Sequence, residues 1–273
     1  VKVHPFYHVS AKQGGNAIWM DTTHLLVQSL EGQVVWEMDA TTGALQHTWS
    51  LQTGRLSFYH QPFLYFTQVE SLNTSALYRA DLSQAHPTPQ RVTEPLPGTR
   101  FWLSTDGSTV FYARRGSASV QGIYAVDSDG SNLRLLRKGS GIPIGYTADH
   151  ALMVLDEVSS KFQVLKLGTT PSATAQVIMA DAAPGAVSLC PLPDLVGVIK
   201  VCDQNITLAP NGHGLLLSAL SANGTSSLVY DNLDAGTSQV VRNLPAGTSV
   251  QLPGWSKISL TNAASAAFSS LAA

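Results

Sequence analysis

The chain has 273 residues, enough for one large domain or two small ones and enough to bury a core of useful size. Charged residues make up 12% of it and the formal net charge is −2, with Lys and Arg scattered singly, so there is no basic stripe of the kind that nucleic-acid backbones attract. No run reaches the roughly 18 consecutive apolar residues of a membrane-spanning helix, so neither nucleic acid nor insertion into a bilayer is expected.

The missing charge is replaced by Ser, Thr, Gly, Ala and Gln, which suits strands joined by tight turns better than helices with Glu- and Lys-rich faces. The chain opens at Val1 without an initiator methionine. That start suggests a mature product or an excised ectodomain, extracellular or periplasmic, tethered through a removed N-terminal segment. A cloned fragment would give the same start equally well.

Taken in chain order, residues 1–9 read as a strand, and residues 16–52 as a first four-stranded unit. In it the turn Met20-Asp21-Thr22-Thr23-His24 leads into Leu25-Leu26-Val27, followed by Val35-Trp36-Glu37-Met38-Asp39 and a closing strand at 45–49. A second unit, 55–94, repeats the order with His60-Gln61-Pro62 into Phe63-Leu64-Tyr65-Phe66, then Leu77-Tyr78-Arg79-Ala80-Asp81, then 90–92. A third, 98–138, has Leu103-Ser104-Thr105-Asp106-Gly107-Ser108 into Thr109-Val110-Phe111-Tyr112, then Ile123-Tyr124-Ala125-Val126-Asp127 and 133–136. The fourth, 141–180, runs from Tyr146-Thr147-Ala148-Asp149-His150 into Leu152-Met153-Val154, then 164–167 and 176–179. Residues 184–203 look like a partial unit with two strands. A fifth unit, 205–243, carries Leu208-Ala209-Pro210-Asn211-Gly212-His213 into Leu215-Leu216-Leu217, then Val229-Tyr230-Asp231-Asn232-Leu233-Asp234 and 239–241. A strand at 250–260 would share a blade with residues 1–9, and the Ala/Ser tail over 263–273 would fray or form a short helix.

Asp39, Asp81 and Asp127 recur at roughly 42 and 46 residues, the period of a four-stranded propeller blade. One such sheet cannot bury both faces alone, whereas stacked blades can. A β-sandwich also shows short strands and frequent turns, but not the return of a whole four-strand pattern. The expected fold is therefore an all-β, single-domain β-propeller of four-stranded blades over 1–273, six blades favoured over seven.

The Ser-x-Asp-Gly-type turn followed by an apolar strand, then the aromatic strand ending in Asp, resembles the repeat of TolB-type propellers, relatives of the WD-repeat class. One unit differs: Gly32-Gln33-Val34-Val35-Trp36-Glu37-Met38-Asp39-Ala40-Thr41-Thr42-Gly43, with Trp49 beyond it, is similar to the docking motif of quinoprotein-type propellers. That resemblance implies a tryptophan wedged between neighbouring blades. It covers residues 16–245 and implies a fold rather than an activity.

Candidate chemistry is sparse. His24, His60, His150 and His213 all fall at first-hairpin turns, too dispersed to converge on one ion and read as solvated turn residues. His4 and His8 have helix-face spacing, but Pro5 argues for extended chain. Asp127-Ser128-Asp129-Gly130-Ser131-Asn132 hints at a calcium loop, yet lacks the later bidentate Glu and reads as a polar turn. There is no Gly-x-Ser-x-Gly elbow, His-Glu-x-x-His pair or phosphate-binding glycine loop in helix context. No cofactor or metal is therefore expected. Asn73, Asn205 and Asn223 head glycosylation-type triplets. Cys190 and Cys202 permit one disulfide, but a plain hairpin would hold them about 20 Å apart, so a bond requires a looped segment.

Propeller loops that enter the innermost strand and leave the second strand gather at one face. That map selects Arg55, Arg100, Trp102, Arg114 and Arg115 as ligand- or partner-binding residues, with Phe101, Gln68, Glu70, Asp156 and Glu157 nearby. The alternative is that Phe101 and Trp102 pack between blades and the Arg pair is solvated. The reading is a non-catalytic binding or interaction module, monomeric, with a protein, small-molecule or glycan ligand. The alternative is a hydrolase or lyase with its site in the central channel. A structural propeller cut from a larger chain is a third.

Overall fold

The computed structural model describes residues 17–97, 101–114, 119–139, 141–147, 151–158, 161–168, 175–189, 206–209 and 211–245. His4, His8, Arg100, Arg115, His150, Cys190, Cys202 and Asn205 lie outside them, as do both terminal strands and the tail. Two compact units meet in sequence at Ser140/Gly141. The described elements are all strands, and no helix among them is long and apolar enough to cross a membrane.

The first unit holds three antiparallel sheets. The first is β1 (Ala17–Trp19), β2 (His24–Gln28), β3 (Val34–Asp39) and β4 (Leu45–Ser50), in that order. The second is β5 (Arg55–His60), β6 (Phe63–Ser71), β7 (Thr74–Asp81) and β8 (Gln90–Arg91), with β9 (Leu96–Pro97) also paired to β7. The third is β10 (Phe101–Leu103), β11 (Thr109–Arg114), β12 (Gly122–Asp127) and β13 (Arg134–Lys138). The second unit holds two. One is β14 (Ile142–Tyr146), β15 (Leu152–Val158), β16 (Lys161–Leu167) and β17 (Gln176–Ala182). The other joins β18 (Ala186–Ser188) and β19 (Ile206–Leu208) to β20 (Gly214–Ser221), then β21 (Ser226–Asn232) and β22 (Thr237–Leu244).

All five expected units become sheets, each a meander of neighbouring strands. The partial unit at 184–203 does not stand apart in its described portion. Ala186 and Ser188 pair with Ser221 and Leu220, whereas Ile206–Leu208 pair with Leu217–Leu215. The long β20 outruns β19, and its far end takes β18 as a second partner for backbone groups that would otherwise be unpaired.

The turns follow from side chains that cap them. Asp21 Oδ1 accepts the amides of Thr23 and His24, Asp39 Oδ1 those of Thr41 and Thr42, and Asn232 Oδ1 those of Asp234 and Ala235. Asp81, Asp106, Asp129, Asn211 and Asn223 each accept the amide two residues on. Such Asx contacts offer the chain a reversal in place of further ladder bonds. Hydrogen bonds led by the Ser104 hydroxyl pull the Asp106 carboxyl down to about 2.

One register repeats in every sheet. The first residue of the second meander strand faces the last of the third: His24 with Asp39, Phe63 with Asp81, Thr109 with Asp127, Leu152 with Leu167 and Gly214 with Asn232. The residue just before that last position is core in the first unit, where Met38, Ala80 and Val126 are buried.

Cores form where sheets stack. Leu26, Val35, Trp49 and Leu51 meet Leu56, Leu64, Phe66, Ala80 and Leu82 between the first and second sheets. Tyr65, Leu77, Val92 and Leu96 meet Phe101, Val110, Tyr112 and Val126 between the second and third. The wedge implied by the quinoprotein resemblance is present: buried Trp49, on β4, donates its indole N–H to the Leu82 carbonyl beyond β7 at 3.1 Å. Buried Gln28 ties the same seam, donating to the Thr53 carbonyl at 3.1 Å, the Thr53 hydroxyl at 2.6 Å and the Gly54 carbonyl. Gln90 donates to the Asp129 carbonyl at 3.0 Å across the next seam.

Candidate functional site

Arg114 is the last residue of β11 and pairs with Gly122 at the start of β12. Its Nη1 lies 2.9 Å from Glu94 Oε1, both side chains being about one-third exposed. Glu94 sits on the crossing from β8 to β10, next to Pro95. Its Oε1 is shielded from water and not aligned for a hydrogen bond, so the contact with Arg114 is a charge pair rather than a bidentate clasp. Leu96 and Pro97 then pair with Ser75 and Thr74, which lays this crossing along the β6–β7 turn. At that turn Leu72 is 100% and Val69 77% exposed.

Aromatic rings underlie the pair. The Arg114 guanidinium lies 5.9 Å from the centre of the Tyr124 ring, Tyr124 stacks on Tyr112 at 5.8 Å, and Phe101 tilts against Tyr112 at 5.9 Å. Tyr112 is fully buried, and burial first, then the Glu94 charge, drives its phenol far above the ordinary range. It is therefore a neutral packing element. The Tyr124 hydroxyl donates to the Val120 carbonyl at 3.0 Å, fixing the ring beneath Arg114.

The five sequence-selected residues divide. Arg114 occupies the arrangement just given, and half-buried Trp102 lies on β10 opposite Phe111. Arg55 is exposed at the start of β5, one sheet removed, where its carbonyl accepts the Thr67 hydroxyl at 3.4 Å. Arg100 and Arg115 flank β10 and β11 but fall outside the described residues. Phe101 is core between two sheets, which is the packing alternative. Glu70 accepts a hydrogen bond from Tyr78, and Gln68 donates to the Gln52 carbonyl at 3.0 Å. In the second unit Asp156 is buried and accepts the Glu157 amide at 2.9 Å, so it is turned inward rather than presented. Glu94, Tyr112 and Tyr124 were not selected from sequence. An acid lodged in Thr93-Glu94-Pro95, on the loop entering the third unit, is the signal that could have found the first.

The three turn histidines among the described residues, His24, His60 and His213, are not simply solvated. His24 Nδ1 is 2.8 Å from Asp21 and His213 Nδ1 2.9 Å from Asp234. A Cβ built on Gly107 would fall 2.4 Å from the half-buried His60 ring, so that ring packs on the next sheet's turn. The hinted calcium loop spends its carboxylates internally: Asp127 accepts from Asn132 and Arg134, each at 2.7 Å, and Asp129 from Ser131. Among the described residues no group of three or more His, Cys, Asp and Glu side chains could hold a metal.

No family model matches the sequence, and no curated protein is similar to it. Solved structures are. A structure of an oligogalacturonate lyase in complex with manganese superposes with a TM-score of 0.59 at 14% identity, over 83% of this chain and 64% of that one. A putative TolB from Agrobacterium tumefaciens gives 0.53 at 17% identity, over 84% and 80%. TolB from Acinetobacter baumannii gives 0.52 at 18% identity, over 82% of this chain, which spans about half (52%) of the Acinetobacter protein's length. At such identities the likeness is one of architecture, and it agrees with the register repeated from sheet to sheet: the chain has the β-propeller fold found in TolB.

Proposed function

We propose that this chain is a non-catalytic, protein-binding propeller domain of an envelope or extracellular protein. Its contact face is the end of the first unit where Arg114, Glu94 and the β6–β7 turn lie together. The observation that carries this reading is the Arg114–Glu94 pair, one-third exposed over a tyrosine floor, beside a turn that presents Leu72 and Val69. A rigid cation next to unburied apolar side chains is the make-up of a binding hot spot. The pair leaves Arg114 donors for a carboxylate or carbonyl of a partner, and the aromatic floor holds the guanidinium so that little rotamer entropy is lost on binding. A single propeller domain of six blades is part of the same proposal, supported by five sheets that keep one register.

A photo-reactive phenylalanine placed at Leu72, and separately at Val240 on outer strand β22, tests it in a lysate of the source cells. Adducts are expected from position 72 alone, and Arg114→Ala is expected to weaken them about tenfold or more. Equal adducts from both positions, or none from 72, defeat the proposal. Turnover of oligosaccharide or peptide substrates by the purified chain would replace it with a catalytic reading.

A further inference from the structure

The register common to the five sheets places charged residues of the second unit where the first unit has core: Lys166 on β16, which is partly exposed, and Asp231 on β21, which is buried. The position before the last residue of the third meander strand is Met38, Ala80 and Val126 in the first unit, all buried apolar side chains. On β21 that position is Asp231, with 0% exposure. Its Oδ2 accepts the amide of Ala183 at 3.2 Å, and Ala183 lies on the crossing from β17 to β18, where the chain passes from one sheet to the other. Ala183 has φ of 48°, a left-handed conformation that is strained for a non-glycine residue. Asp231 thus anchors a strained crossing at the seam of the two sheets.

The other carboxylate oxygen is buried and faces the Ser238 hydroxyl, directly opposite on β22, without a well-aligned hydrogen bond between them. Among the described residues no cation is paired with the group. Strand β20 brings no titratable residue to it. Strand β22 brings Arg242, whose partner on β21 is Leu228, three residues from Asp231. From β17 comes a like charge, Asp181, itself paired with Lys161 of β16 at 2.9 Å. On its own strand Tyr230 packs over Gly214, and beyond Asn232 the carboxylate of Asp234 is taken by His213. Among the described residues an ionised Asp231 is therefore a buried charge with no counter-ion, which favours any opening that admits water.

We propose that Asp231 is a protonation-operated latch on the seam between the two sheets of the second unit, closed as the neutral acid and loosened when it ionises. Burial first, with the Asp181 charge adding to it, raises its carboxyl to about 6 from the ordinary 3.8, and the Ser238 hydroxyl and Ala183 amide offset part of that rise. The folded seam holds the proton more tightly than an open one. Its contribution is complete below the ordinary value and is lost as pH rises through about 6.

Hydrogen exchange of the Ala183 amide, corrected for intrinsic rate, reads the latch in the intact chain. Its protection is expected to fall roughly 50-fold between about pH 4 and 7.5, the factor that a two-unit difference in acidity allows. The Leu51 amide, bonded to the Gln33 carbonyl in the first unit, is the control and is expected to stay level. Asp231→Asn keeps an acceptor for Ala183 without the charge and should flatten the profile. Carbon NMR of the Asp231 carboxyl in the unaltered protein provides a readout independent of that variant's folding. Protection at Ala183 that does not fall with pH, a pH profile that persists in D231N, or a carboxyl titrating at its ordinary value would each overturn the latch.

Discussion

Replacing Trp49 is the most direct way to ask whether stacked sheets hold the first unit together. Its indole is 8% exposed, lies in a cluster drawn from two sheets, and donates to the Leu82 carbonyl at 3.1 Å. Burying about 200 Å² of aromatic surface at about 25 cal/mol/Å² sets an upper scale near 5 kcal/mol for the side chain. Trp49→Ala should accordingly cost about 3–5 kcal/mol, since a cavity at a seam collapses only partly. Trp49→Phe keeps most of the apolar contact and leaves the carbonyl unpaired, a loss of about 1–2 kcal/mol. Urea unfolding followed by circular dichroism measures both, with slopes checked for a change in cooperativity. A cost below about 1 kcal/mol for the alanine variant would mean that each sheet is stable without its neighbour, and the stacking argument would be wrong.

The turns supply two further tests. Gly107 needs φ of +73° and has the His60 ring where a Cβ would go, so Gly107→Ala should cost about 3 kcal/mol, falling to about 1 kcal/mol in a His60→Ala background where only the backbone strain remains. An equal cost in both backgrounds refutes the contact between the two turns. The hydrogen bond to Asp21 raises the imidazole of His24 above its ordinary 6.5, so the pair helps the fold while His24 is charged, and that help is lost as pH rises through the raised value. In Asp21→Asn, proton NMR should find His24 titrating lower than in the parent chain; an unmoved titration would separate the two side chains.

The fold was readable because its signals are local and repeated. An Asx residue that caps a turn does so through amides two or three positions on, and the apolar strand after it has to lie against its neighbour, so a short window of sequence carries each hairpin. Trp49 was readable for the same reason, as part of the unit running from Gly32 to Gly43 and beyond. The pairing of β18 with β20 was not. Nothing in Ala186-Val187-Ser188 distinguishes an inner strand of a new sheet from a second partner for an overlong one, because that choice depends on where β19 stops.

The candidate site was half legible for a physical reason that also explains Asp231. Arg114 could be chosen from its place at a strand end, but what makes it a rigid cation is Glu94 on another sheet's exit and Tyr124 on the adjoining strand, and no spacing in the sequence joins those three. In the same way the fifth unit reads Tyr230-Asp231-Asn232, and an acid near a strand end looks like one more turn cap. Register separates the two residues. Asn232 faces Gly214 and caps the turn as Asp39 and Asp81 do, while Asp231, one residue earlier, points to the opposite side of the pleat and enters the core. A shift of one position along a strand thus decides whether a carboxylate is a solvated cap or a buried charge. The decision is made by pairing across the sheet, which is why it becomes visible only once the strands are aligned.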